Sequence, residues 1–241
     1  MAYGAIRPTP FAIAHTMTTI DLHHLPVTRT ARYATLGSAG SAAEVWFVCH
    51  GYGQLAAPFL GHFTALDDGR RLLVAPEGLS RFYVDPEHAR GVRTTAVGAS
   101  WMTREDREHD IADYVGYLDT LRVRVTVGVP PNTPVTVLGF SQGVATACRW
   151  AALGREAVSR LILWAGDVPP DLDLPARRER LARARVVLVY GTRDRMIPER
   201  VREAAEERLR AAEIPYQVET YDGRHHIDAR ALERVAAASP D

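Results

Sequence analysis

The chain has 241 residues, enough for one large domain, and its 46% hydrophobic and 24% charged residues are ordinary for a globular protein. The 29 basic and 29 acidic residues balance, and the basic ones, all arginine, are scattered along the chain. This pattern excludes nucleic acid or an anionic membrane surface as the main partner.

Residues 1–20 lack the basic start and long apolar core of a secretory signal, so they are not expected to be one. We expect them to be a flexible N-terminal extension or the result of a start codon upstream of Met17. Residues 21–241 then form a single domain. Cys49 and Cys148 each lie in an apolar stretch, so both are expected to be buried and unpaired. A reducing compartment fits this usage best, and we expect a cytoplasmic protein.

Short apolar runs alternate with longer amphipathic stretches, which is typical of a mostly parallel sheet covered by helices on both faces. Most of the runs are continuously apolar rather than alternating, as expected of strands that are buried on both faces of the sheet. The predicted strands cover residues 30–36, 45–49, 71–75, 135–139, 161–165, 186–190 and 216–221.

Apolar side chains at three- and four-residue steps predict helices over 105–125, 142–153 and 198–212, and a last helix with Asp228 as its N-cap. Residues 76–104 show no clear period and predict a long functional loop. Three aromatic residues of this loop either line a substrate pocket or anchor the loop in the core, namely Phe82, Tyr83 and Trp101.

The strongest local motif is Gly139-Phe140-Ser141-Gln142-Gly143, which lies between a predicted buried strand and a predicted helix. This is G-x-S-x-G in the strand–turn–helix setting that exposes a serine nucleophile above a sheet. The flanking glycines give the tight turn the space it needs. We therefore predict Ser141 as the nucleophile.

A serine hydroxyl needs a base, and an imidazole that titrates near pH 7 is the usual one. With this motif an acid and then a histidine follow the serine along the chain, which Asp194 and His225 satisfy at the ends of two later strands. Asp167 is the rival acid, because it also follows a strand. The neighbouring His226 is the rival base and is otherwise expected to be solvated or at a pocket rim.

An oxyanion hole requires two N–H donors, and the residue after the nucleophile, Gln142, supplies one. We predict that the Tyr52 N–H supplies the other, because His50-Gly51-Tyr52-Gly53 leaves an early buried strand. His50 precedes the nucleophile in the chain, so we expect it to have a structural hydrogen-bonding role.

Together these motifs resemble the phospholipase/carboxylesterase family, which includes acyl-protein thioesterases and small bacterial carboxylesterases. The resemblance implies an α/β-hydrolase fold, with a triad of Ser141, Asp194 and His225 and an oxyanion hole at Tyr52 and Gln142. Arg224 and His226 depart from the family's usual pattern, and residues 98–111 resemble a subgroup of predicted bacterial esterases. The resemblance covers roughly residues 30–237 and rests on HGYGQ at 50–54, APEG at 75–78, GFSQG at 139–143, GTRD at 191–194 and GRHHID at 223–228.

The expected activity is hydrolysis of carboxylic esters through an acyl-enzyme intermediate, without a metal or an organic cofactor. The segment between the strands at 161–165 and 186–190 is too short for a large cap domain, which favours an open site and short acyl chains. Thioesters and lysophospholipids remain alternative substrates, and a non-catalytic binding protein of the same fold remains an alternative class. We expect a small-molecule ester as partner, no stable membrane association, and a monomer or homodimer.

Overall fold

The structure, a computed structural model, describes residues 20–84 and 96–238. The chain divides into two compact units, residues 1–30 and residues 31–241. The described part of the first unit, residues 20–30, contains no helix or strand. The extension predicted over residues 1–20 lies, except for Ile20, outside the described residues.

A seven-stranded sheet forms the centre of the second unit. The first strand in the chain runs antiparallel to its one neighbour, and all the other pairs are parallel. Crossovers through helices produce the parallel pairs, as the alternation of apolar runs predicts. Across the sheet the strands are β1 (Tyr33–Leu36), β3 (Arg71–Pro76), β2 (Glu44–Cys49), β6 (Val135–Phe140), β7 (Arg160–Trp164), β8 (Arg185–Gly191) and β9 (Tyr216–Tyr221).

Helices cover both faces of the sheet, so successive strand residues enter two separate hydrophobic cores. In β2, Phe47 packs into one core and Trp46 into the other, and neither is exposed to solvent. The helices are α1 (Ala56–Leu60), α2 (Arg107–Val125), α3 (Gln142–Leu153), α4 (Leu174–Ala182), α5 (Glu199–Ala211) and α6 (Ala229–Ala237). Helices α2 to α5 line the Phe47 core, and α1 and α6 line the Trp46 core.

Every predicted strand and helix is present, with ends shifted by a few residues. Asp228 accepts a hydrogen bond from the Ala231 N–H and so caps α6 as predicted. Cys49 and Cys148 are both buried, also as predicted. Among the described residues, no helix combines the length and the apolar character needed to cross a bilayer.

Two features differ from the prediction or add to it. The stretch 76–104 contains a small antiparallel sheet of β4 (Ser80–Tyr83) and β5 (Val97–Ser100), where the sequence indicated only a loop. The segment between β7 and β8, described throughout, holds the nine-residue α4, whose Leu174 and Leu181 are buried in the core. The predicted absence of a large cap in this segment is confirmed.

Candidate active site

Ser141 lies on the turn between β6 and α3, and its backbone is in a rarely occupied conformation. Its φ of 54° and ψ of −118° are unfavourable for any residue with a side chain. The turn is also crowded, because a methyl group on Gly139 would lie 2.2 Å from the Gly143 carbonyl oxygen. The glycine at each end of the motif therefore permits the close contact that places Ser141 at the end of the strand.

Ser141, His225 and Asp194 come together although 84 and 31 residues separate the pairs along the chain. The Ser141 Oγ lies 3.0 Å from His225 Nε2, and His225 Nδ1 lies 2.8 Å from Asp194 Oδ2. The Asp194 side chain is only 1% exposed, and that of His225 is 15% exposed. The three groups form one hydrogen-bonded chain with its serine end accessible.

The protonation of the imidazole follows from its neighbours. A carboxylate can only accept, so Nδ1 carries the proton that is donated to Asp194, and Nε2 is left as an acceptor for the Ser141 hydroxyl. Such an arrangement can remove the proton from the serine oxygen when that oxygen forms a new bond.

The side chains of His225 and Asp194 are each held in place by further contacts. Asp194 Oδ1 accepts hydrogen bonds from the backbone N–H groups of Met196, at 2.8 Å, and Ile197, at 3.2 Å. The His225 ring packs against Phe140, with 5.0 Å between ring centroids. Neither side chain can rotate away without losing these contacts.

The structure separates the predicted residues from their rivals. Asp167, the rival acid, forms an ion pair with Arg208. Asp222, a further carboxylate close to His225 in the chain, is largely exposed and pairs with Arg193. The exposed His226 packs its ring against Tyr221, 5.5 Å away between centroids. None of these three side chains joins the Ser141 chain.

The loop after β2 approaches Ser141 closely. A methyl group on Gly51 would lie 3.2 Å from Ser141 Cβ, and the Gly51 N–H itself donates to Gln54 Oε1 at 2.7 Å. Within the described part of the chain, the N–H groups of Tyr52 and Gln142 have no acceptor. Gln142 is the first residue of α3, where N–H groups lack partners inside the helix. Both N–H groups are therefore free to donate a hydrogen bond.

His50 has the structural role expected from its position in the chain. It is fully buried, its Nε2 accepts from the Gly78 N–H at 2.9 Å, and its Nδ1 therefore donates to the Gly51 carbonyl oxygen at 2.7 Å. Burial lowers the pKa of the imidazole below its usual value, so the ring is neutral at pH 7.

The three aromatic residues of the 76–104 stretch have different surroundings. The Phe82 ring contacts that of Tyr52, with 5.0 Å between centroids, and Tyr83 is 52% exposed. Trp101 is only 1% exposed, and its indole N–H donates to the His50 carbonyl oxygen. Of the two alternatives stated for Trp101, the structure therefore matches the core one, because the indole ring is buried and its N–H is bonded inside the protein.

The sequence analysis gave no role to Glu77, which is 3% exposed and adjoins Gly78. Its carboxylate accepts hydrogen bonds from Arg32, the Ala56 N–H and Arg81. Burial opposes ionisation, but these hydrogen bonds outweigh it and the pKa of Glu77 lies below its usual value. Glu77 belongs to the APEG motif, but the sequence does not show that hydrogen-bond donors from three separate segments of the chain meet at its carboxylate.

A mostly parallel sheet, helices on both faces and a serine on a strained strand–helix turn define an α/β-hydrolase-fold protein. A family model described as phospholipase/carboxylesterase matches residues 37–238. The chain belongs to this family, whose members and structural neighbours are hydrolases of the esterase and thioesterase type.

Solved structures share this fold at low sequence identity. Esterase PE8 has a TM-score of 0.65 at 20% identity, with 87% of this chain and 97% of that chain covered. Acyl-protein thioesterase 2 of Zea mays has a TM-score of 0.68 at 16% identity, covering 86% and 97%. The Bacillus cereus carboxylesterase has a TM-score of 0.64 at 14% identity, covering 86% and 92%. A comparison with curated protein sequences finds no match.

Proposed function

We propose that the protein is a serine carboxylesterase, with Ser141 as nucleophile, His225 as general base and acid, and Asp194 orienting the imidazole. The observation that supports this is the unbroken hydrogen-bonded chain from Ser141 Oγ through His225 to Asp194. The N–H groups of Tyr52 and Gln142 lack partners among the described residues and follow Gly51, which closely approaches Ser141, and Ser141 itself, so they are suited to bind an oxyanion.

The reaction follows from these groups in two halves. His225 Nε2 takes the hydroxyl proton as Ser141 Oγ bonds to the ester carbonyl carbon, and the Tyr52 and Gln142 N–H groups stabilise the oxyanion. Collapse of this intermediate breaks the bond to the alcohol oxygen, which receives the proton from His225. Water then attacks the acyl-enzyme by the same steps and releases the acid and Ser141. The residues proposed for this chemistry require no metal or organic cofactor.

A fluorophosphonate probe tests the nucleophile, because it forms a covalent bond only with an activated serine. The wild-type protein is expected to be labelled on Ser141, and Ser141→Ala is expected to lose both labelling and ester hydrolysis. Ser159→Ala is the control and should label like wild type. Peptide mapping of the adduct identifies the modified residue. An unlabelled wild-type protein with no activity on esters or thioesters would instead support a non-catalytic binding protein.

We further propose that short acyl chains are preferred, since one short helix rather than a large cap lies between β7 and β8. A p-nitrophenyl ester series from acetate to palmitate should give the highest kcat/KM at butyrate or below. Higher kcat/KM on a long-chain ester would contradict this. Parallel assays with acyl thioesters and lysophospholipids test the alternative substrates, which the same residues can cleave.

A further inference from the structure

The two proposed oxyanion donors lie on segments far apart in the chain, and residues 99–102 contact both segments. On one side, the Gly53 N–H donates to the Ala99 carbonyl oxygen at 2.9 Å, and the Ala99 N–H donates to the Gln54 carbonyl oxygen at 3.1 Å. The loop that carries Tyr52 is thereby paired with β5 by reciprocal backbone hydrogen bonds, like a short strand.

On the other side, the same residues hold the Gln142 side chain. The Trp101 N–H donates to Gln142 Oε1 at 3.2 Å, while Gln142 Nε2 donates to Ser100 Oγ at 3.0 Å and to the Met102 carbonyl oxygen at 2.9 Å. Both amide protons and the amide oxygen are thus satisfied, which leaves the side chain one orientation. Ser100 is 2% exposed, so water does not compete freely for these bonds.

Trp101 adds a third connection, to the residue that precedes Gly51. Its indole N–H donates to the His50 carbonyl oxygen at 2.8 Å, and its ring lies 5.0 Å from the His50 ring between centroids. The loop after β2 is therefore held by the Trp101 side chain, which binds His50, and by the Ala99 backbone, which binds Gly53 and Gln54.

We propose that residues 99–102 form a bridge that sets the distance and direction between the Tyr52 and Gln142 N–H groups. Gln142 then acts twice, its N–H as an oxyanion donor and its side-chain amide as a positioning group. The inference rests on the proposed esterase function, since donors accelerate acyl transfer only when they are fixed where the oxyanion develops.

Gln142→Met keeps the side-chain length and the backbone N–H but removes every side-chain hydrogen bond from residue 142 to the bridge. We expect kcat on a short p-nitrophenyl ester to fall by about 10- to 100-fold, with KM changed by less than about threefold. Inhibition by a trifluoromethyl ketone, which forms a tetrahedral oxyanion adduct, should weaken by a factor similar to the loss in kcat. A purely structural role would not link these two quantities.

Ser100→Ala is the milder variant and provides the test if Gln142→Met does not fold. It removes one acceptor from Gln142 and should lower kcat by about three- to tenfold in the same linked manner. Asp173→Ala removes the N-cap bond of α4 far along the chain from the bridge, so it controls for destabilisation alone and should leave kcat unchanged.

Folded variants whose kcat and ketone affinity stay within twofold of wild type would overturn the bridge while leaving the esterase intact. Loss of kcat with unchanged ketone affinity would also overturn it. A wild-type protein without hydrolysis or fluorophosphonate labelling would instead mean that the proposed function itself has failed.

Discussion

Replacement of His225 by alanine is expected to lower kcat/KM for ester hydrolysis by about 10⁴- to 10⁶-fold, while His226→Ala should stay within about threefold of wild type. The difference follows from geometry alone, because the two residues are adjacent in the chain and have the same side chain. His225 Nε2 lies 3.0 Å from Ser141 Oγ, whereas the exposed His226 ring packs against Tyr221.

Adjacent histidines make this a matched comparison. The His225→Ala protein should keep its unfolding temperature within a few degrees of wild type, so that the loss is attributable to proton transfer. Fluorophosphonate labelling of Ser141 should slow together with ester turnover, since both need a deprotonated hydroxyl. Equal losses in the two variants, or a larger loss in His226→Ala, would contradict the assignment of the base.

The second large effect is expected for Asp194→Asn, which should reduce kcat by about 10⁴-fold. The asparagine Oδ1 can still accept from the Met196 and Ile197 N–H groups, so the turn survives. Its amide nitrogen, however, donates to His225 Nδ1 instead of accepting from it. The imidazole proton then lies on Nε2, which cannot accept the Ser141 proton.

Asp167→Asn and Asp222→Asn are the controls for this experiment. Each carboxylate pairs with an arginine elsewhere, Asp167 with Arg208 and Asp222 with Arg193, so both variants should retain kcat within about fivefold. A kcat for Asp194→Asn within tenfold of wild type would remove Asp194 from the proposed mechanism. A loss of several hundredfold in Asp167→Asn would identify the rival acid.

The fold was predictable because strands and helices leave local patterns. Residues 45–49 are apolar at every position, and residues 135–139 are apolar except for Thr136, as expected for short strands buried on both faces. Strands β4 and β5 escaped prediction because they are four residues long and thirteen residues apart, without a hairpin turn signal between them. Helix α4 was missed because only Leu174 and Leu181 mark its buried side.

The candidate site was predictable in its residue types and chain order but not in its contacts. Ser141 was identifiable because the strained turn needs glycines at fixed neighbouring positions, which is a local requirement. The bond from Gln142 to Ser100 spans 42 residues, and neither residue type reveals it. The burial of Trp101 depends on its fit against His50, which no sequence period encodes.

The sequence by itself therefore determined the layered α/β architecture, the serine turn and the order of acid and histidine, since each depends on neighbouring residues or on hydrophobic periodicity. Only the tertiary structure shows that His225 rather than His226 bonds to Ser141, and that Asp194 rather than Asp167 bonds to His225. The physical reason is that adjacent side chains can point in different directions, and their directions depend on packing against strands distant in the chain.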